Sequence, residues 1–331
     1  MRPMILAGDI GGTHTRLAIF DYRNSRTKPV SMRIYPSRDY ESLDAIVRVF
    51  VGEQKISVNA ACFGVAGPVK YGRSETSNLA WVVNSRKLAS ELSLESVELL
   101  NDLEASAYGI ALVEPKDFVV LNEGVTDDGG MAALISAGTG LGQAGLRWEG
   151  GYYKPFPSEG GHADFAPRNK LETELLLFLL KHYDHVSYER VLSGPGLYNI
   201  YKFLRDSGRG DEPAWLSERM AHDDPSSVIA QAALEGSSKL CVHSLDLFVS
   251  IYGAEAGNLA LKFLATGGVF VGGGIAPKII EKLRDQTFME AFKAKGRLRA
   301  LLEAVPVRVI LNDQTALLGA ARYAAMKMDT V

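Results

Sequence analysis

The chain has 331 residues, 47% hydrophobic and 23% charged, the balance of an ordinary globular protein long enough for two domains. A formal net charge of −3 leaves no basic footprint for nucleic acid or for an anionic membrane surface. Cys62 and Cys241 stand far apart in apolar contexts with no CxxC and no Cys/His cluster, so two buried thiols in a reducing compartment are expected, and no structural zinc.

Met1-Arg2-Pro3 leads straight into an apolar strand with no signal-peptide core. The longest apolar run, Leu175 to Leu180, is too short to span a bilayer, and Asp329-Thr330-Val331 is no retention or peroxisomal address. Cytoplasm is the expected compartment.

Met4 to Phe20 reads as a hairpin, two apolar strands around a Gly-rich turn. Gly11 and Gly12 are expected to supply the positive φ of a tight turn, and its amides a concave nest for an anion. Thr13 adds a hydroxyl, and Asp9 would serve beside a phosphate through Mg²⁺ or its waters. The competing reading is a plain β-hairpin. No P-loop spacing occurs, and Gly8 to Gly12 lacks the dinucleotide-binding pattern.

Leu43, Ile46, Val47 and Phe50 fall at helical spacing within Tyr40 to Gln54. A strand over Asn59 to Ala66 ends at Gly67-Pro68; a loop near Ser77 to Trp81 and a helix over Ser85 to Leu92 follow. This alternation predicts an α/β unit with parallel strands. The run Val97 to Leu100 then stops at Asn101-Asp102, and helix formers extend from Glu104 to Leu112. A strand that gives way to a helix puts its polar pair on the carboxyl edge of a sheet, where ligands bind. Asn101 can both donate to and accept from a hydroxyl, and Asp102 can take its proton, which points to the general base of a sugar kinase.

After Pro115 the design restarts with a short strand, Phe118 to Leu121. Met131 to Leu146 repeats the opening hairpin around Gly138-Thr139-Gly140, which suggests a duplicated architecture facing a shared cleft, each turn holding one end of a polyphosphate. Glu159 and His162 lie three apart around two glycines, able to aim at vicinal hydroxyls; a metal pair or a loop-capping His are the alternatives. Leu171 to His182 is expected as a helix, Ser187 as the cap of a short one, and Gly194-Pro195-Gly196 as a turn into the next. Glu189 in a first helical turn has a plain explanation in the helix dipole. A helical block from Asp224-Pro225 to Leu264 precedes Phe263 to Pro277, read as a strand that ends in Gly272, Gly273 and Gly274 before a helix, a close backbone approach suited to a flat base or simply a crowded turn. Val307 to Leu311 is the last strand, and Asp313 to Met326 the last helix.

Gly8-Asp9-Ile10-Gly11-Gly12-Thr13, Asn101-Asp102, Ala137 to Gly142, Glu159-Gly160-Gly161-His162, Glu189 to Gly196 and Gly272-Gly273-Gly274-Ile275 together resemble the bacterial-type glucokinase family, in its order and spacing over nearly the whole chain. The resemblance implies an α/β, two-lobed, actin-like (duplicated ribonuclease H-like) fold with helical additions in the larger lobe. It assigns 1–112 and 314–331 to the small lobe and 113–313 to the large one, with the active site in the cleft between them. It further implies that Asn101, Asp102, Glu159, His162 and Glu189 hold glucose, with Asp102 as base for transfer from ATP to the 6-hydroxyl. Gly8, Asp9, Ile10, Gly11, Gly12 and Thr13, with Gly138, Thr139 and Gly140, would hold phosphates; Gly272 to Gly274 would lie against the adenosine. Mg²⁺ would arrive with ATP, without a cluster of direct protein ligands, and homodimers are common in the family. Neither the Cys-rich zinc motif nor the N-terminal DNA-binding segment of the related repressor–kinase family is recognised within these residues, so a regulator is not the expected reading. A kinase for another hexose or amino sugar, a polyphosphate-dependent one, and a non-catalytic sugar-binding regulator are the rivals.

Overall fold

The computed structural model describes residues 3–22, 27–76 and 79–328. Met1, Arg2, Ser77, Asn78 and 329–331, on which parts of the N-terminal, loop and C-terminal readings rest, lie outside the described residues. The chain divides into two compact units: Met1–Pro115, Trp148–Phe156 and Asn312–Val331 form the first, Lys116–Arg147 and Pro157–Leu311 the second.

The first unit opens with β1 (Met4–Ile10), β2 (His14–Asp21), β3 (Ser31–Pro36), α1 (Leu43–Gln54) and β4 (Ala60–Val65). A small antiparallel sheet of β5 (Val69–Lys70), β6 (Arg73–Glu75) and β7 (Val82–Asn84) precedes α2 (Ser85–Leu92), β8 (Glu98–Asn101) and α3 (Asp102–Gly109). Its main sheet has the order β3-β2-β1-β4-β8, antiparallel across the hairpin and parallel beyond it. Alternation along β1 fills both faces: Leu6 and Ile10 pack with Ile46 and Phe50 of α1, while Ile5 and Ala7 join a second cluster.

The second unit contains β9 (Phe118–Asn122), β10 (Ala132–Ala137) and β11 (Leu141–Trp148). After β12 (Tyr153–Ser158) come α4 (Lys170–Leu179), α5 (Gly194–Asp206), α6 (Ala214–His222), α7 (Pro225–Leu234) and α8 (Lys239–Phe263). Then follow β13 (Gly268–Gly272), α9 (Ile280–Arg284), α10 (Thr287–Lys293), α11 (Arg299–Ala304) and β14 (Val307–Ile310). β10 pairs antiparallel with β11 and parallel with β13, and β13 parallel with β14, the connectivity of β1, β2, β4 and β8 over again. The duplication read from two Gly-rich hairpins is therefore present strand by strand, with β9 added antiparallel to β14. A single core runs from Ile135 and Leu141 through the helices to Phe288 and Phe292.

The last helix, α12 (Thr315–Met328), returns to the first unit and puts Leu317, Leu318 and Ala321 against Ile5 and Ala7. Glycines bring it close to α3: a Cβ on Gly319 would lie 1.7 Å from the Ala105 carbonyl oxygen, and one on Gly109 2.0 Å from that of Thr315. Residues 148–156, which the family resemblance placed in the large lobe, group with the first unit. There Tyr152 stacks on Tyr108 with centroids 6.0 Å apart, and Arg322 donates to the Gly151 carbonyl at 2.9 Å.

Three local readings are corrected. Phe263 ends α8, and its strand begins only at Gly268. Gly194-Pro195-Gly196 is no turn but opens α5, with Pro at a position where no N–H is needed and Ser193 as its cap; Ser187 stands at the N-cap position of the short 3-10 turn Tyr188–Arg190, but its side chain makes no capping hydrogen bond. Neither Gly11 nor Gly12 has positive φ; the hairpin closes through Gly11 N–H to the His14 carbonyl at 3.0 Å. Cys62 and Cys241 are both buried and free. No helix among the described residues is long and apolar enough to cross a membrane.

Candidate active site

The expected site residues divide between the units. In the first, the Gly11–Thr13 turn is braced by Ser37, whose hydroxyl donates to the Gly11 carbonyl at 2.8 Å and whose N–H donates to that of Thr13 at 2.9 Å. Asp9 pairs across the hairpin with Arg16, whose guanidinium lies 3.8 Å from its carboxylate and also bonds Asp313 at 2.6 Å. Burial pushes the Asp9 carboxyl up to about 6, Arg16 opposes the rise, and the charges of Asp102 and Asp313 add to it. Its side chain still keeps 23% exposure, so the desolvation is incomplete. Counting outward from the turn pairs residues 9 and 16; nothing in the sequence announces Asp313 or Ser37.

Asn101 caps α3: its Oδ1 accepts from Leu103 N–H at 2.9 Å while Glu104 accepts from the Asn101 N–H at 3.0 Å, a complete capping box. Its Nδ2 donates to the Gly67 carbonyl at 3.0 Å, so one donor and one lone pair of the amide remain for a ligand. Asp102 is exposed at the first position of α3, where its Oδ1 accepts from Leu103 N–H at 2.9 Å. A helix N-terminus favours the ionised carboxylate, the form a base needs. The helix starts at this pair, two residues before the expected Glu104. Gly64 lets it settle on β4: a Cβ there would sit 2.9 Å from that of Ala105.

In the second unit Glu189 links the two halves of the expected constellation. Its Oε2 accepts from Leu141 N–H, just past the Gly138–Gly140 turn, at 2.9 Å; its Oε1 lies 3.9 Å from His162 Nδ1. His162 Nε2 is 4.0 Å from Glu159, and these two are 59% and 78% exposed, against 29% for Glu189. The turns interlock through glycine: a Cβ on Gly140 would lie 2.6 Å from Glu189 Oε2, and one on Gly161 2.0 Å from the Leu141 carbonyl oxygen. Gly138 spends its N–H on the Gly140 carbonyl and its own carbonyl on Gly194 N–H, both at 2.8 Å, and so serves the turn itself. His162, Glu189 and Arg190, with His182, Tyr183 and His185, line a cavity of about 400 Å³, room for a monosaccharide. Of the three glycines at the end of β13 and just past it, Gly272 to Gly274, only Gly273 is crowded: its φ is +84°, and a Cβ would stand 2.3 Å from the Ala137 carbonyl oxygen. Gly274 faces open space.

A glucokinase family model matches residues 6–327. The chain belongs to the glucokinase family. It is 43% identical to the glucokinase of a Nostoc species, an alignment covering 97% of this chain and 99% of that one. Among solved structures, the glucokinase of an Antarctic psychrotroph superposes with a TM-score of 0.84 at 32% identity, covering 98% of this chain and 99% of that one. A ROK family glucokinase of Streptomyces griseus, in complex with glucose and AMPPNP, superposes with a TM-score of 0.65 at 20% identity over 98% and 99%, a likeness of fold. The fold is that of actin-like sugar kinases, and the chain is a glucokinase-family enzyme that phosphorylates sugar.

Proposed function

We propose that this glucokinase transfers the γ-phosphoryl group of ATP to the 6-hydroxyl of D-glucose, with Asp102 as general base. The observation that carries the reading is the exposed Asp102 carboxylate, fixed at the first turn of α3 by Leu103 N–H. Asn101 has capacity for one more donor and one more acceptor contact, and the Glu159, His162 and Glu189 group presents acceptors and an imidazole for the other hydroxyls. The glucose and ATP analogue held by the Streptomyces relative make these ligands the first to test.

Phosphoryl transfer passes through a loose transition state, so the protein's work is chiefly positioning and charge. Asp102 would orient the 6-hydroxyl and accept its proton as the new O–P bond forms and the bond from the γ-phosphorus to the bridging oxygen breaks, releasing ADP. The exposed Thr13 hydroxyl and the braced turn at Gly11 and Gly12 would support phosphate oxygens. Gly274 leaves space for a base to lie against the backbone. For Mg²⁺ the donor set fits contact through water: Asp9 is a partly exposed carboxylate, and no group of three or more His, Cys, Asp or Glu among the described residues could hold a metal. When bound, Mg²⁺ neutralises phosphate charge.

A coupled assay with glucose, mannose, fructose and N-acetylglucosamine, against ATP and polyphosphate, tests the proposal. Turnover highest with glucose and ATP is expected. Preference for another sugar or donor would replace the substrate assignment, and glucose binding without turnover would make the chain a regulator.

A further inference from the structure

Beneath Glu159, His162 and Glu189 lies a carboxylate the reaction does not use. Glu255, midway along α8, is 0% exposed. An unpartnered charge there would be strongly destabilising, so its partners matter. Gln143 Nε2 of β11 donates to its Oε1 at 3.0 Å, and Asn258 Nδ2, one turn along α8, donates to its Oε2 at 2.8 Å. The Tyr188 hydroxyl accepts from the same Asn258 Nδ2 at 3.2 Å and so reaches the carboxylate through that amide. Lys295 donates to the Ala254 carbonyl at 2.9 Å and to Asn258 Oδ1 at 2.5 Å, and Lys262 stands 3.6 Å from Glu255.

Two of these partners lead directly to the sugar-binding candidates. The Gln143 amide oxygen lies close against Gly160, where an added Cβ would sit 2.5 Å from it, and Gly160 opens the 3-10 turn that follows Glu159 and ends at His162. Tyr188 is the residue before Glu189 in one short 3-10 turn, and its N–H donates to the Ala163 carbonyl at 2.9 Å, tying that turn to the one bearing His162. One fixed carboxylate thus grips both turns from below, through a different side chain to each.

We propose that Glu255 is a positioning residue for the sugar: through Gln143 and Tyr188 it sets the spacing of Glu159 and His162 from Glu189. The inference rests on the reading that those three residues hold the sugar. Because the two arms are separate, each can be cut without removing the buried charge.

Gln143→Leu cuts the arm to Gly160, Tyr188→Phe the arm to Glu189, and Glu255→Gln removes the charge both share. Each should raise the KM for glucose by about tenfold, the worth of one buried hydrogen bond to a charge, with the KM for ATP unmoved. In the Glu255→Gln background, Tyr188→Phe should add less than it does alone, because the arm has already lost its anchor. Glu189→Gln serves as reference. If it raises the glucose KM while Gln143→Leu and Tyr188→Phe change only the melting temperature, the network is merely structural and the proposal is overturned. If Glu189→Gln also leaves the glucose KM unmoved, the sugar-site reading itself has failed. Should Glu255→Gln not fold, the other two variants decide the question.

Discussion

Glu189 accepts a hydrogen bond from the backbone N–H of Leu141 at 2.9 Å, which fastens an expected sugar ligand to the residue that follows the second Gly-rich turn. The contact needs glycine beside it, since a Cβ on Gly140 would reach within 2.6 Å of the carboxylate oxygen. Gly140→Ala should therefore displace Glu189 and raise the glucose KM by about tenfold, the equivalent of one lost charged hydrogen bond. A glucose titration in the coupled assay reads this directly. An unchanged KM would mean that Glu189 does not hold the sugar or tolerates the shift.

Asp102 is exposed, so its replacement should spare the fold and strike only the chemistry. Asp102→Asn should lower kcat by about two to four orders of magnitude, the usual size of general base catalysis, with little change in melting temperature. Turnover like the wild type would remove Asp102 from the role. Asn101→Ala is the contrasting case: it deletes the α3 cap and should cost about 0.5–2 kcal/mol of stability by denaturant unfolding, besides any effect on sugar binding.

Asp9 gives a pH signature. Its folded pKa of about 6 lies above the ordinary aspartate value of 3.8, so the folded chain holds the proton more tightly than the unfolded one. Its contribution to stability is complete below a pH of about 4 and is lost as the pH rises through about 6. Asp9→Asn should flatten that part of the stability profile, measured by unfolding across the same range. If ionised Asp9 helps hold the Mg²⁺ that neutralises the phosphates, wild-type kcat should fall as the pH drops through about 6, and the Asn variant should be slow throughout.

The seam between α3 and α12 has no room for a methyl group at Gly319, where it would lie 1.7 Å from the Ala105 carbonyl oxygen. Gly319→Ala should cost about 1–3 kcal/mol or more through overpacking, seen as a lower melting temperature. Because the strain falls on the helix that presents Asp102, kcat should drop with it. A fully active, fully stable variant would show that the seam can open without consequence.

Much of this was legible in the sequence because the signals are local. The helical spacing of Leu43, Ile46, Val47 and Phe50 gave α1, and the two Gly-rich hairpins gave the duplicated topology. The sequence Asn101-Asp102-Leu103-Glu104 carried a capping box that fixes where α3 starts, yet the expected helix began two residues late. What was not legible depends on distant partners. Ser37 beneath the first turn, Asp313 on Arg16, and Glu255 under Gln143 are set by tertiary packing and leave no mark at their own positions. The glycines show the same limit. Gly11 and Gly12 looked conformational and are not, whereas Gly140, Gly161 and Gly319 are glycine because something else occupies the space of a side chain.

The return of α12 to the first unit has a consequence for biosynthesis. The helix bearing Asp102 emerges from the ribosome early, but the surface it packs on is translated last, so the first unit must wait, incomplete, while residues 116–147 and 157–311 can already assemble around their own core. Premature termination just before Thr315 would then leave a largely intact second unit joined to a first one that has lost a face of its sheet.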